Sequence, residues 1–319
     1  MSTSPALANS RPRTAALSIC RLIGSDPKQN GWMGISPSIR PIFPPHAPKV
    51  PDIMTQLAVD SRVVARLTGT LPEGGFEEGT PIWACDAPGL LDPADAPETR
   101  LDAVPLGEKL AFLMEDVITR AEAARFIDLT ESLGYRDAAP GIQTPPGMRR
   151  NKTVHWIAPE AAMAELHRRM KSLLPATLEG RALSPRLSQR INMYRYDIGD
   201  EFNLHTDGDW PGFGLSTDGT GMAQWRGTHS MLTMLLYLNG SEDGIIGGET
   251  VLYDKGEAGA TITPHTGRAL FFRHGQNRAS VLHAGARLGA GTSKYVARIN
   301  VMYDLQSVAA GQFEAPRCL

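Results

Sequence analysis

The sequence predicts a mainly β protein, a sandwich or barrel of short strands with two helices packed outside it. Three observations carry this expectation. After Pro185, short apolar runs recur between Gly, Asp or Pro turns almost to the C-terminus. Two stretches ahead of them carry helix start and stop signals. The 32 glycines and 24 prolines also supply abundant turn residues.

The elements follow in chain order. Residues 1–52 contain the run "PSIRPIFPPHAPKVP" and are expected to be a disordered, Pro-rich leader in which His46 is solvated. Residues 1–25 hold Arg11, Arg13 and Arg21 and no acid. That composition also suits an organelle transit peptide, but a plain leader on a cytoplasmic protein is preferred. Residues 53–104 mix "VVARL" and "PIWAC" with the turn signals "PEGG" and "DPADAP", and form an extension packed against the main domain.

The main domain spans 105–306, with a tail at 307–319. "KLAFLMEDVI" reads as a strand. Thr119 and Glu122 make a capping box, which opens a helix through "AEAARFIDLTESL" that stops at Gly134. A second helix starts at Pro159 and runs through "EAAMAELHRRMKSLL" to Pro175. His167 falls beside Arg168 and Arg169 and is expected on the solvated side. The strands are then "LSQRINMYRY", "EFNLHTD", "SMLTMLLYLN", "GETVLYD", "RALFFRH", "ASVLHAG" and "KYVARINVMYD".

Several function classes are disfavoured at once. A formal net charge of −2 gives no broad attraction to nucleic acid or to an anionic membrane. The apolar runs, such as Met234 to Leu238, are too short to span a bilayer. Cys20, Cys85 and Cys318 are scattered, without CxxC spacing, which argues against a disulfide framework and for a reducing compartment. No HExxH, Walker A, GxGxxG or GxSxG pattern is present.

The stretch "FNLHTDGDW" is more informative. Residues two apart on a strand share a face, so His205 and Asp207 can bind one ion together. An EF-hand reading of "DGDWPGFGLSTD" fails, because Pro211 and Asp218 occupy its fifth and twelfth positions. A third ligand must come from another strand, and the candidates are His229, His265, His274 and His283. His265 sits in a hairpin turn, while His229 precedes a strand and His274 ends one. Following His283, Lys294, Val296 and Arg298 share one strand face, and a cation buried there needs an anion to meet it.

"YRYDIGDEFNLHTDG", "GGETVLY", "LFFRH" and "LHAGARLGAGTSKYVARINVMY", in that order, resemble the Fe(II)/2-oxoglutarate-dependent dioxygenases, and within them the prolyl 4-hydroxylase-like branch. The resemblance covers roughly residues 105–305. It implies a double-stranded β-helix, or jelly-roll, core flanked by helices. It also implies a facial triad of His205, Asp207 and His283 on iron. Lys294 is then the preferred partner of the distal carboxylate of 2-oxoglutarate, with Arg298 one pleat further along and Tyr196 and Thr250 as further contacts. Phe202 stands where relatives often carry tyrosine.

Such a triad leaves three coordination positions open, two for 2-oxoglutarate and one for O2, with ascorbate as a possible accessory reductant. The implied reaction hydroxylates a C–H bond of a peptidyl substrate, prolyl included, or of a small molecule and releases succinate and CO2. The glycine-rich stretch 208–228, with Trp210, Phe213 and Trp225, is expected to be a substrate-covering loop. "RRNKTVHW" is a candidate pocket wall in which His155 is an ordinary packed or solvated residue. The alternative is a non-catalytic jelly-roll module that binds a metal or ligand.

Overall fold

A computed structural model of the chain describes residues 60–70, 76–137 and 147–307. The expected leader and most of the expected tail lie outside the described residues. The core is a double-stranded β-helix. Its larger sheet runs, edge to edge, Ser61–Thr70, Phe76–Cys85, Lys152–Ile157, Arg190–Tyr196, Lys294–Ser307, Met222–Tyr237, Ala269–Arg273, Ala111–Glu115 and Arg100–Ala103. Only the contact between Phe76–Cys85 and Lys152–Ile157 is parallel along this path. The smaller sheet is Phe202–His205, Leu282–Gly285, Thr250–Asp254 and Glu257–Ile262.

Period-2 alternation decides what each face of the larger sheet meets. Met193, Met234, Leu236, Phe271, Ala297 and Ile299 point to the side covered by the helices. Their neighbours Tyr194, Tyr196, Leu235, Tyr237, Phe272 and Val296 point between the two sheets, against Leu252 and Ile262 of the smaller one. These strands are buried on both faces, which is why their sequences read as continuous apolar runs.

The segment 61–103 supplies both edges of the larger sheet: a hairpin at one end and Arg100–Ala103 at the other. The strand expected over "KLAFLMEDVI" is shorter, Ala111–Glu115, because Asp116 turns the backbone to φ 56°. Helix α1, Arg120–Leu133, begins at the capping box of Thr119 and Glu122 and ends at Gly134, whose φ of 83° favours glycine. Helix α2, Glu160–Met170, ends earlier than the approach to Pro175 suggested, and the chain continues in turns through Leu174.

Helix α2 also holds two departures from the sequence reading. His167 is buried, and so is Arg169. The Arg169 guanidinium uses all five of its N–H groups: two reach Glu122 at 2.8 Å each, one reaches Glu165 at 2.8 Å, and two reach the carbonyls of Val117 and Asp92. Glu122 accepts in addition from the backbone amides of Thr119 and Asp92. One carboxylate thus caps α1, fixes the 92 turn and neutralises a buried cation of α2.

The stretch 208–228 is not an irregular lid. Pro211–Leu215 and the first part of Met222–Tyr237 form a hairpin in which Phe213 pairs with Gln224 and Leu215 with Met222. His229 therefore lies within a strand and pairs with Asp209 at 3.2 Å. His265 is half-exposed and meets Glu242 at 2.9 Å, in keeping with its turn position.

Candidate metal centre and its two cavities

His205 ends one strand of the smaller sheet and is the direct register partner of His283 on the adjacent strand. Asp207 follows two residues on. One ligand atom from each of these three side chains lies within 4.8 Å of the others. The expected trio is thus brought together from two strands.

Each imidazole is set to offer the same nitrogen. His205 Nδ1–H donates to the carbonyl of Asn203 at 2.7 Å, and His283 Nδ1–H donates to that of Val281 at 3.2 Å. Both Nε2 lone pairs are left for an ion, an arrangement in which outer hydrogen bonds fix tautomer and ring orientation. Stacking fixes the planes: Phe202 lies on His205 at 3.6 Å and 11°, and Phe272 lies 4.4 Å from His283. Burial pulls the His205 pKa down to about 4, and it lowers that of His283 as well. Both rings are therefore neutral at ordinary pH, as metal ligation requires.

Asp207 is held from its far side. Its Oδ2 accepts from Arg298 Nε at 2.9 Å and from Thr233 Oγ1 at 2.6 Å, which leaves Oδ1 facing the histidines. Burial opposes ionisation of this carboxyl, but the Arg298 guanidinium and the Thr233 hydrogen bond outweigh it, and its pKa lies far below the usual range. The donor set of two neutral imidazoles and one carboxylate fits a divalent iron ion.

Behind Thr233 runs a chain of hydrogen bonds. Because the Thr233 hydroxyl donates to Asp207, it must accept from His274 Nδ1–H at 2.7 Å. His274 Nε2 then accepts from the Ser230 hydroxyl at 2.9 Å, and Ser230 accepts from the Trp210 amide. Burial and the charge of Arg298 bring the His274 pKa down to about 3, so the ring stays neutral and this donor order is self-consistent. His274, one of the possible third ligands, is therefore a support for Asp207. Thr233→Val should weaken Fe(II) or Zn(II) binding about 10- to 100-fold, the usual cost of a lost outer partner. Competitive metal titration checks this, and unchanged affinity would show the chain to be incidental.

Two cavities open beside the trio. In the first, Tyr196, Thr250, His283 and Lys294 line a narrow space that also touches His205 and Asp207. Lys294, which lines this space, is buried. Its ammonium donates to the Gly248 carbonyl and stands 4.8 Å from the centre of the Tyr196 ring. Gly248 has φ 72°, and a Cβ there would sit 3.2 Å from the Lys294 chain. No carboxylate pairs with Lys294 among the described residues. The Thr250 hydroxyl accepts from Tyr237 at 2.7 Å. Arg298 borders this space too, but its guanidinium is already engaged by Asp207.

A sequence model described as the 2OG-Fe(II) oxygenase superfamily matches residues 191–302. Residues 191–302 thus carry the sequence pattern of a 2OG-Fe(II) oxygenase domain. The family implies Fe(II), 2-oxoglutarate and O2 as reactants, and the oxygenase has residues suited to the first two. No curated protein matches the chain. Among solved structures, a viral collagen prolyl hydroxylase from Paramecium bursaria Chlorella virus-1, in a 2OG complex, is 17% identical, with 62% of this chain and 98% of that chain covered and a TM-score of 0.42. A Pseudomonas putida prolyl-4-hydroxylase is also 17% identical, covering 63% and 95%, with a TM-score of 0.40. A prolyl hydroxylase from Trichoplax adhaerens, in complex with a hypoxia inducible factor peptide fragment, is 16% identical, covering 61% and 83%, with a TM-score of 0.40. These are similarities of fold only.

The second and larger cavity, about 510 Å³, also borders His205 and Asp207. Arg149, Thr153, His155, Arg190, Asn192, Trp210 and Phe213 are among its walls. The "RRNKTVHW" segment thus does form a wall, and the hairpin that replaces the expected lid contributes Trp210 and Phe213. Trp225 instead packs under Arg186 at 3.8 Å. His155 is buried and bonded through Nδ1 to Asn192 at 2.8 Å. Burial and the nearby Arg190 bring its pKa down to about 3, so it too is neutral. Among the described residues, no helix is long and apolar enough to cross a membrane.

Proposed function

We propose that this oxygenase hydroxylates a C–H bond of a peptidyl or small-molecule substrate, peptidyl proline among them, with release of succinate and CO2. The observation that supports it is the trio of His205, Asp207 and His283 beside a buried, carboxylate-free Lys294. His205 Nε2, His283 Nε2 and Asp207 Oδ1 would hold Fe(II), which with 2-oxoglutarate and O2 supplies the oxidising chemistry. Lys294 meets the distal carboxylate of 2-oxoglutarate, with Thr250 and Tyr196 as lateral contacts. The larger cavity receives the substrate, and there His155 and Asn192 offer neutral polar groups and the aromatic walls exclude water.

Anaerobic addition of Fe(II) and 2-oxoglutarate should produce a weak visible charge-transfer band. Aerobic incubation of a peptide library with ascorbate present should then yield a product heavier by the mass of one oxygen. A colourless sample with no iron bound would instead identify a non-catalytic binding module.

Lys294 sets a pH dependence. Burial lowers its pKa from 10.5 to about 8, with Glu249 opposing the shift. Below pH 8 the empty site is already cationic and 2-oxoglutarate binds without proton uptake. Above it, binding must first restore a proton, so the Kd should rise about tenfold per pH unit until the lysine of the complex itself titrates. The empty chain responds in the opposite sense. Its unfolded state binds more protons between pH 8 and 10.5, so folding stability rises over that window. Calorimetric titration of 2-oxoglutarate from pH 7 to pH 10 checks the first effect, and a flat Kd would assign the anchor to another group. Lys294→Ala should raise the Kd about 100-fold at pH 7.

A further inference from the structure

The larger cavity is bordered by two arginines whose charge no carboxylate balances among the described residues. Arg66, Arg149, Arg190 and Arg298 all border it, and Asp207 is its only acid among the described residues. Arg298 is matched by Asp207. Arg66 sits at the exposed rim and donates to the Gly79 carbonyl. Arg149 and Arg190 are different. No carboxylate pairs with either among the described residues, and the Nε of each is buried without a hydrogen-bond partner. What they do touch is aromatic. The Arg149 guanidinium lies 5.9 Å from the Tyr194 ring and 5.7 Å from the Phe202 ring, and Arg190 lies 5.7 Å from Phe213.

Aromatic faces hold a guanidinium in place but do not neutralise it. The two arginines come from separate segments, a bridge residue opposite Phe202 and the first residue of Arg190–Tyr196, so neither is a by-product of one surface helix. Burial, with repulsion from Arg298 added to it, lowers the Arg190 pKa. His155, on the strand paired with Arg190–Tyr196, cannot share the charge because it is neutral. Unmatched cations around a partly enclosed space are costly unless an anion arrives to meet them. Placement supplies the distance scale: Arg149 stands over Phe202, whose other neighbour is the His205 ring at 3.6 Å.

Resting on the oxygenase reading, we infer that the substrate carries an anionic group, a carboxylate in the first instance. Arg149 and Arg190 clamp it so that the C–H bond to be oxidised lies one aromatic ring away, beside His205 and Asp207. Planar, fork-shaped donors suit a carboxylate or a phosphate equally in kind. Free acids, chain-terminal residues and phosphorylated groups are thus favoured over neutral interior peptide segments.

The test uses the full chain with Zn(II) in place of Fe(II) and saturating 2-oxoglutarate, so that binding is read without turnover. A panel of N-acetyl amino acids is titrated calorimetrically beside the corresponding amides, and O-phosphoserine beside serine. At least one acid should bind about tenfold or more tightly than its amide, and Arg149→Gln and Arg190→Gln should each erase most of that gap. Arg149→Lys and Arg190→Lys keep the charge and should retain a reduced preference, which separates loss of charge from loss of folding. A preference confined to O-phosphoserine would support the clamp and assign it to phosphate. No preference in any pair, including no binding at all, overturns the inference. The 2-oxoglutarate Kd in the same samples tells the two failures apart: if it is lost, the oxygenase reading is wrong, whereas if it is intact with equal acid and amide affinities, only the clamp is wrong.

Discussion

Replacing His283 by alanine should lower succinate formation by on the order of a thousandfold, the several kcal/mol that a correctly held metal contributes to charge stabilisation. His283 is the informative ligand to remove. Asp207→Ala would leave Arg298 buried without its anion, so lost activity and lost folding could not be told apart. At His283 the ring sits between Phe272 and His205, and its Nδ1 touches only the Val281 carbonyl. Alanine there opens a small space and strands no charge. Circular dichroism and the thermal midpoint should change little, while Fe(II) binding and turnover collapse together. Turnover within tenfold of the unaltered chain would mean that this histidine is not a ligand.

Arg169→Met should destabilise the fold by about 3–5 kcal/mol, the cost of leaving a buried partner charge uncompensated. Glu122 is fully buried, and without Arg169 it keeps only the backbone amides of Thr119 and Asp92. Urea unfolding of the single variants and of Arg169→Met with Glu122→Gln together completes a double-mutant cycle. The double variant should recover a large part of the loss, because replacing both charges removes the stranded one. Acid should act in the same direction. Burial pushes the Glu122 pKa up, yet the Arg169 hydrogen bonds and the two amides hold it below 4.5. For Glu165, the hydrogen bond from Arg168 leads the causes that bring it to about 2. Both carboxylates contribute stability that is complete above about pH 4.5 and is lost as pH falls below it, for Glu165 toward about 2. A stability curve flat over that window would show that the pair is energetically neutral.

What the sequence disclosed follows the range of the interactions involved. Thr119 and Glu122 signal a helix start within four residues, and both atoms bond as their spacing suggests. Strand alternation is equally local, and it placed His205, Asp207, Lys294 and Arg298 on faces that meet one space. His283 came from motif order, and its pairing with His205 is a register fact that no short window contains. The readings that changed depend on distant partners. Arg169 looks solvated beside Arg168 until Glu122, from the other helix, makes its burial affordable, while nothing near His167 in the sequence marks it as buried. Thr233 gave no signal, because an apolar run with one threonine reads as core, and His274 read as a possible ligand because only the fold brings Asp207 to the Thr233 hydroxyl and His274 behind it. The 211–237 hairpin was hidden by its glycines, which mark loops and close backbone approach alike. Arg149 and Arg190 likewise share a wall only once their strands are assembled.

The direct opposition of His205 and His283 across two neighbouring strands constrains how this chain can change length. One residue inserted within Phe202–His205 or Leu282–Gly285 would rotate an imidazole to the outer side of the sheet while leaving the backbone ladder intact. Two inserted residues would restore the side but carry the ring about 7 Å along the strand. Neither repair rebuilds the trio, so growth and shrinkage of the chain are tolerated in connections such as the exposed 276–279 turn, whose length does not alter the phase of either strand.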